Sequence, residues 1–310
     1  MQRTFQMSSG PNSYGSLPER FSWISSYENS KAPELVALDR SMSRFYSGSD
    51  PSGYHLTAQE LNQNLLDGDH LLQQAAIEAA RAGDVVLEFS CGGAAFAPYY
   101  ERRGARYFGF DVHLPQLPRS DALRVAGSAY SAPIASAIAD LVISFYAIEH
   151  VSWPAAYLSE MIRVTRPGGR IILAFPDYLV GGGPRLPSVR WGRSHGGIRP
   201  KLARGAYTDA VQTYLEQRIV YRWMVAKLRR QVFTERRLRF MIHTSPSCFV
   251  APWSIDTDAI YIASEEEVTL YLSRNGCKIE QRSGDLRDNS GNPLGARYRG
   301  HAFISARRTE

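Results

Sequence analysis

Three features of this chain have residue types and spacing suited to chemistry on a nucleotide-like ligand. The first is a run of small residues, Ser90-Cys91-Gly92-Gly93-Ala94, directly after the apolar stretch Val85-Val86-Leu87-Glu88-Phe89. Small residues let the backbone approach a ligand closely. The second is Asp111, which closes another apolar run about 20 residues beyond Glu88 and would accept hydrogen bonds from ribose hydroxyls. A tight turn after one strand, with an acid at that distance, is the nucleotide-binding layout of an open α/β sheet. The third is His150, in Tyr146-Ala147-Ile148-Glu149-His150 after the apolar run at 140–145. The reference pKa of an imidazole, near neutrality, suits a general base. Tyr146, at the same strand end, and Asp177, at a later one, would orient an acceptor. His195 and His243 are second choices for the base. No histidine–carboxylate cluster has metal-ligand spacing, so no metal is expected.

These residues must be positioned by alternating strands and helices. Apolar runs at 85–89, 106–110, 123–126, 140–145 and 170–175 read as strands. Helical patterning is expected at 33–46, 57–66, 70–81, 96–103 and 153–164, with Pro98 in the first turn of its helix and a turn at Pro167-Gly168-Gly169. Such alternation implies right-handed βαβ units and a parallel sheet, whose ligands bind outside the carboxyl ends of the strands. A helix at 265–274 and strands at 278–281 and 301–306 follow near the end.

Bulk properties limit the alternatives. With 44% hydrophobic and 21% charged residues, the chain is globular and well cored rather than mostly disordered. No apolar run is long enough to span a membrane. The N-terminal residues lack the apolar segment of a secretory signal, and three scattered cysteines suggest neither a disulfide framework nor a zinc site. A cytoplasmic location is therefore the expectation. Residues 1–30 read as a mobile arm. The charge of +6 is concentrated at 201–240, where ten Lys/Arg face three Asp/Glu. Such a stretch attracts phosphates or forms a solvated helix face.

Taken together, the segments carry a family resemblance. Val86-Leu87-Glu88-Phe89-Ser90-Cys91-Gly92 resembles the first motif of class I S-adenosylmethionine-dependent methyltransferases, V-L-D/E-x-G-x-G-x-G. Residues 140–151, ending Glu149-His150-Val151, look like the F-D-x-V…E-H-V segment of the small-molecule, type 11-like branch. Residues 161–176 resemble its R-V-L-K-P-G-G element. The resemblance implies a Rossmann-like seven-stranded, mostly parallel sheet with helices on both faces and an antiparallel last strand. It implies S-adenosyl-L-methionine as cofactor and S-adenosyl-L-homocysteine as product. The cofactor-binding residues it implies are Glu88, Ser90, Gly92, Asp111, Val112, Ser128, Ala129 and Phe145. Three positions depart from the pattern. Ser90 and Ala94 replace the first and third glycines, and Ser128 stands where an acid commonly holds the adenine amino group. Ser90 is expected to need a negative φ.

The organisation read from the chain is an arm and helix at 1–55, a cofactor-binding core at 56–177, a mainly helical insertion at 178–263 and a return to the core at 264–310. The insertion is expected to act as a lid over the acceptor, with a dimerisation or packing subdomain as the other reading. Within it, one or two helices are expected at 209–239 and a short strand at 256–262. The leading function is methyl transfer to a small-molecule acceptor at oxygen, nitrogen or carbon, in natural-product or glycan biosynthesis. The alternatives are an RNA methyltransferase using the basic 201–240 segment and a non-methylating protein of the same fold. Tyr46 is expected to close over the methionine end of the cofactor.

Overall fold

The computed structural model describes residues 23–47, 71–112, 123–180, 186, 198–249, 257–287, 291–293 and 300–309. The helix expected at 57–66 and the candidate base His195 lie outside them. The strands are β1 (Trp23–Ser25), β2 (Val85–Phe89), β3 (Arg106–Asp111), β4 (Leu123–Ala126), β5 (Ala139–Phe145), β6 (Thr165–Pro176), β7 (Met241–His243), β8 (Cys277–Arg282) and β9 (His301–Arg308). Seven of them form one sheet in the order β4-β3-β2-β5-β6-β9-β8. Only β9 runs antiparallel to its neighbours, β6 and β8. The expected architecture is therefore present, with β2 and β5 side by side at its centre.

Both faces of the sheet are covered because the central strands are apolar on both. Leu87, Phe89, Val142, Ile171 and Leu173 face one layer, which includes Tyr157, Leu158, Met161 and Val164 of α4 (Pro154–Val164). Val86, Leu141, Ile143 and Ile172 face the other, with Leu72 and Ala76 of α2 (Leu71–Glu78) and Ala97 and Tyr100 of α3 (Ala97–Arg102). Each such aliphatic side chain removed from water contributes about 1.5–3 kcal/mol before ordering costs.

The first layer also holds Leu35, Leu38 and Met42 of α1 (Pro33–Ser47), and Tyr221, Met224, Leu228 and Val232 of the insertion. The insertion thus shares a core with the sheet. It contains α5 (Ile198–Ala203), α6 (Tyr207–Leu215) and α7 (Tyr221–Arg229), with π turns at Glu216–Val220 and Arg230–Thr234 that join α6 and α7 into one continuous rod. Helix α8 (Glu265–Arg274) follows, capped by Ser264, whose hydroxyl accepts from the Glu267 N–H.

Three local expectations change. Residues 23–25 are not part of a mobile arm: they form β1, which pairs antiparallel with β7 (Trp23 opposite His243). The strand expected at 256–262 is, from residue 257, a turn and an extended segment joined to Ile242 by a single bridge at Tyr261. The Pro167-Gly168-Gly169 turn is absorbed into β6 as an irregularity between the Ala139–Thr165 and Leu141–Arg170 pairs, with Gly168 at φ +76°.

Candidate active site

The turn after β2 is built on left-handed backbone. Ser90 has φ +58°, Gly92 +49° and Ala94 +55°. This corrects the expectation of a negative φ at Ser90. A side chain in that region costs about 1–2 kcal/mol, so something must hold Ser90 there. Its hydroxyl lies 3.3 Å from the Tyr157 hydroxyl, which is in turn 2.8 Å from the Ser144 hydroxyl at the end of β5. Tyr157 is fully buried, and burial raises its phenol well above the ordinary range. The serine that replaces glycine therefore ties the turn to β5 and α4.

Beneath the turn, Cys91 fills the space that Gly109 leaves: a β-carbon at Gly109 would stand 2.6 Å from the Cys91 sulfur. Glu88 is buried here as well and accepts a hydrogen bond from the Tyr107 hydroxyl. Burial pushes its carboxyl up to about 8, with the Asp111 charge adding to the rise. Glu88 thus supports the turn from below.

On the outer side the turn is open. A β-carbon at Gly92 would meet no protein atom within 4 Å, and the Gly92 N–H donates to Asp111 Oδ2 at 2.9 Å. The Gly127 N–H donates to the Asp111 carbonyl (2.9 Å), which brings the loop after β4 alongside. In that loop the Ser128 hydroxyl accepts from the Tyr130 N–H at 3.2 Å, and Ala129 packs on the core. Val112 is exposed beside Asp111, and Phe145 lies against Phe96 with ring centroids 4.8 Å apart.

The second half of the site follows β5. Tyr146 is left-handed (φ +50°), and its hydroxyl is 3.1 Å from His301 Nδ1 on β9. A short 3-10 turn, Ile148–His150, comes next. The Glu149 carbonyl accepts two hydrogen bonds from the returning insertion, from the N–H groups of Ile260 (2.8 Å) and Tyr261 (2.9 Å). That return places Asp258 against His150, with Nδ1 and Oδ2 3.5 Å apart. His150 Nε2 stands 3.8 Å from the buried Glu149 carboxylate. The Tyr46 hydroxyl donates to the same Asp258 oxygen at 2.7 Å. Carboxylates thus flank both nitrogens of a partly exposed imidazole, an arrangement that orients a general base and stabilises its protonated form.

Helix α1 bridges the two halves. Asp39 accepts from the Tyr130 hydroxyl at 3.0 Å, next to Ser128, while Tyr46, two turns further along, reaches Asp258. Tyr46 therefore belongs with the His150 group. His243, a second choice for the base, is buried in β7 with its ring 4.6 Å from that of Trp23. Asp177 is engaged by the backbone N–H groups of Leu179, Val180 and Glu265, so its carboxylate secures a chain turn rather than facing an acceptor. Sequence reasoning missed Asp258 and Tyr157. The only sign of Asp258 is an acid just before the apolar run Ile260-Tyr261-Ile262, and no spacing rule links it to His150.

Comparison with known proteins gives the family. Residues 87–173 match the family model of a methyltransferase domain. An uncharacterised methyltransferase of Mycobacterium sp. (strain KMS) is 32% identical over 198 residues, spanning 58% of this chain and 77% of the relative. The chain belongs to the class I S-adenosylmethionine-dependent methyltransferases. The methyltransferase is also 33% identical over 128 residues to a demethylmenaquinone methyltransferase of Beutenbergia cavernae, covering 39% of this chain and 52% of that one. A solved S-adenosylmethionine-dependent methyltransferase from Mesorhizobium loti aligns over 78% of this chain and all of its own, with 13% identity and a TM-score of 0.44. Among the described residues no helix is long and apolar enough to cross a membrane, and no group of three or more His, Cys, Asp or Glu could hold a metal ion.

Proposed function

We propose that this methyltransferase methylates a hydroxyl of a small-molecule acceptor, with His150 as general base and Asp258 as its positioning residue. The observation that carries the reading is the placement of His150 between Asp258 and Glu149 directly after β5, the neighbour of the strand that leads into the Ser90–Ala94 turn. S-adenosylmethionine, when bound, supplies a methyl group on a sulfonium that is already activated for displacement. The residues present suit it: Gly92 leaves open space for close approach, Asp111 offers a carboxylate to ribose hydroxyls, and Val112, Ala129 and Phe145 offer apolar surface to adenine. Ser128 would contribute a neutral hydroxyl where the family commonly uses an acid.

The chain's own work is positioning and proton transfer. His150 would take the acceptor's hydroxyl proton at Nε2 as the methyl carbon exchanges its bond to sulfur for one to the acceptor oxygen, leaving S-adenosylhomocysteine, and Asp258 at Nδ1 would stabilise the resulting imidazolium. Tyr146 borders the acceptor at the β5 end. The end of the insertion delivers Asp258 to this side, which supports a lid role for the insertion.

The test has two parts. Calorimetry with S-adenosylmethionine and S-adenosylhomocysteine should show binding of both, and Asp111→Ala should weaken each about tenfold or more. Transfer of labelled methyl groups to a panel of hydroxylated aromatic compounds should then yield an acceptor whose turnover His150→Gln lowers about 100-fold. No binding of either cofactor form would sink the site assignment. Near-normal turnover in His150→Gln would remove the base.

A further inference from the structure

The insertion rod that runs from Tyr207 to Thr234 is apolar on two opposite sides. One side gives Tyr221, Met224, Leu228 and Val232 to the core. The other leaves Tyr207, Val211, Tyr214, Leu215, Ile219 and Trp223 in water at 40–66% exposure. Leaving such a row exposed is costly for a surface helix, and a contiguous patch of this kind marks an interaction site. The row is also kept straight. Val211, Leu215, Ile219 and Trp223 recur every fourth residue, a spacing that drifts about 40° per step around an α-helix. The π turn at Glu216–Val220 takes up the extra residue, so the row continues along one side.

Cations lie among these residues. Arg218, Arg222, Lys227 and Arg229 are all exposed. The Lys227 ammonium lies 5.1 Å from the centroid of the Trp223 ring, and the Arg229 guanidinium lies 5.9 Å from that of Phe233. Aromatic rings, branched aliphatics and cations on one helical rod match the composition of a helix lying in the plane of a bilayer surface, with its apolar row at the acyl boundary and its cations among headgroups.

We infer that the outer side of the Tyr207–Thr234 rod docks this enzyme on an anionic phospholipid bilayer. Charge selects the occupant. The rod itself carries Arg218, Arg222, Lys227, Arg229 and Arg230 against Asp209 and Glu216, and Asp209 is already paired with the buried Lys201, so two copies meeting through this side would bring like charges together. An RNA would use the cations but leave Val211, Leu215 and Ile219 exposed. An anionic bilayer satisfies both components at once. Methyl transfer is not a premise of this inference.

The test is flotation of the full-length protein with vesicles of phosphatidylcholine containing about a quarter phosphatidylglycerol, beside pure phosphatidylcholine vesicles. Binding to the anionic vesicles is expected, weakening steeply as salt is raised. The pair Ile219→Ser with Trp223→Ser and the pair Arg218→Glu with Arg222→Glu should each lower the partition coefficient about tenfold, with unchanged melting temperature because all four positions are exposed. Failure to bind anionic vesicles at low salt would overturn the inference. So would binding that ignores the Ile219/Trp223 pair. A dimer dissolved by Trp223→Ser without vesicle binding, or binding to a mixed-sequence RNA without vesicle binding, would assign the surface to those partners instead.

Discussion

Strands β2 and β5 are neighbours at the centre of the sheet, and each leads into half of the candidate site by a different route. The half after β2 is largely local: Glu88, the Ser90–Ala94 turn, Tyr107, Gly109 and Asp111 all lie within two consecutive βα units. The half after β5 is assembled from distant segments, with Tyr46 from α1 and Asp258 to Tyr261 from the end of the insertion converging on Glu149 and His150. The proposed cofactor half thus draws mainly on neighbouring chain, tied to β5 and α4 through Ser144 and Tyr157, whereas the proposed acceptor half depends on how an insertion folds back.

Substitutions can break that comparison, and the largest effect is expected at Glu88. Its folded-state carboxyl titrates near 8 against an ordinary 4.5, so the folded protein binds the extra proton between those values. The stability that this one group contributes is therefore full below about pH 4.5 and is lost as pH rises toward 8, by on the order of 5 kcal/mol at most. Glu88→Gln keeps a neutral acceptor for Tyr107 and should flatten that slope, as urea midpoints at both ends of the window would show. An unchanged slope would mean that the half after β2 does not hold a buried acid as described.

Separability comes next. His150→Gln should cost about 100-fold in turnover, roughly 3 kcal/mol, with cofactor affinity intact. A parallel loss of calorimetric affinity would show that the two halves act as one. Tyr46→Phe removes a hydrogen bond to a buried carboxylate and should cost about 2 kcal/mol in denaturant unfolding. It should also shift the pH profile of kcat by loosening Asp258 against His150, whereas a purely structural tyrosine would leave that profile in place. The smallest effect is Ala94→Gly, which relieves left-handed backbone but removes a methyl buried in the core, so it should stabilise by less than about 1 kcal/mol in thermal unfolding. Ser90→Gly should gain less, because it also removes the contact with Tyr157.

The same contrast explains how much was legible in the sequence. The strand at 85–89, the acid at Asp111 and the E-H pair after β5 were readable because buried parallel strands and their end residues leave short-range patterns. The conformation of Ser90 was not, because a steric preference of less than a few kcal/mol yields to a tertiary hydroxyl chain through Tyr157 and Ser144. Nor was the pairing of β1 with β7, or of His150 with Asp258, since both join segments separated by more than 100 residues with no period connecting them. Asp177 was misread for a related reason: a strand-end carboxylate suits an acceptor site and a backbone anchor equally well until its neighbours are known.

The thiol seated in the gap above Gly109 carries one further consequence. Cys91 is 4% exposed, and burial, with the Asp111 charge nearby, holds it in the unreactive protonated form. An alkylating reagent therefore reaches it only when the turn lifts, so the labelling rate at this one peptide, followed by mass spectrometry, is a clock for turn opening. The clock should slow when cofactor is added, giving a count of how often the empty turn opens.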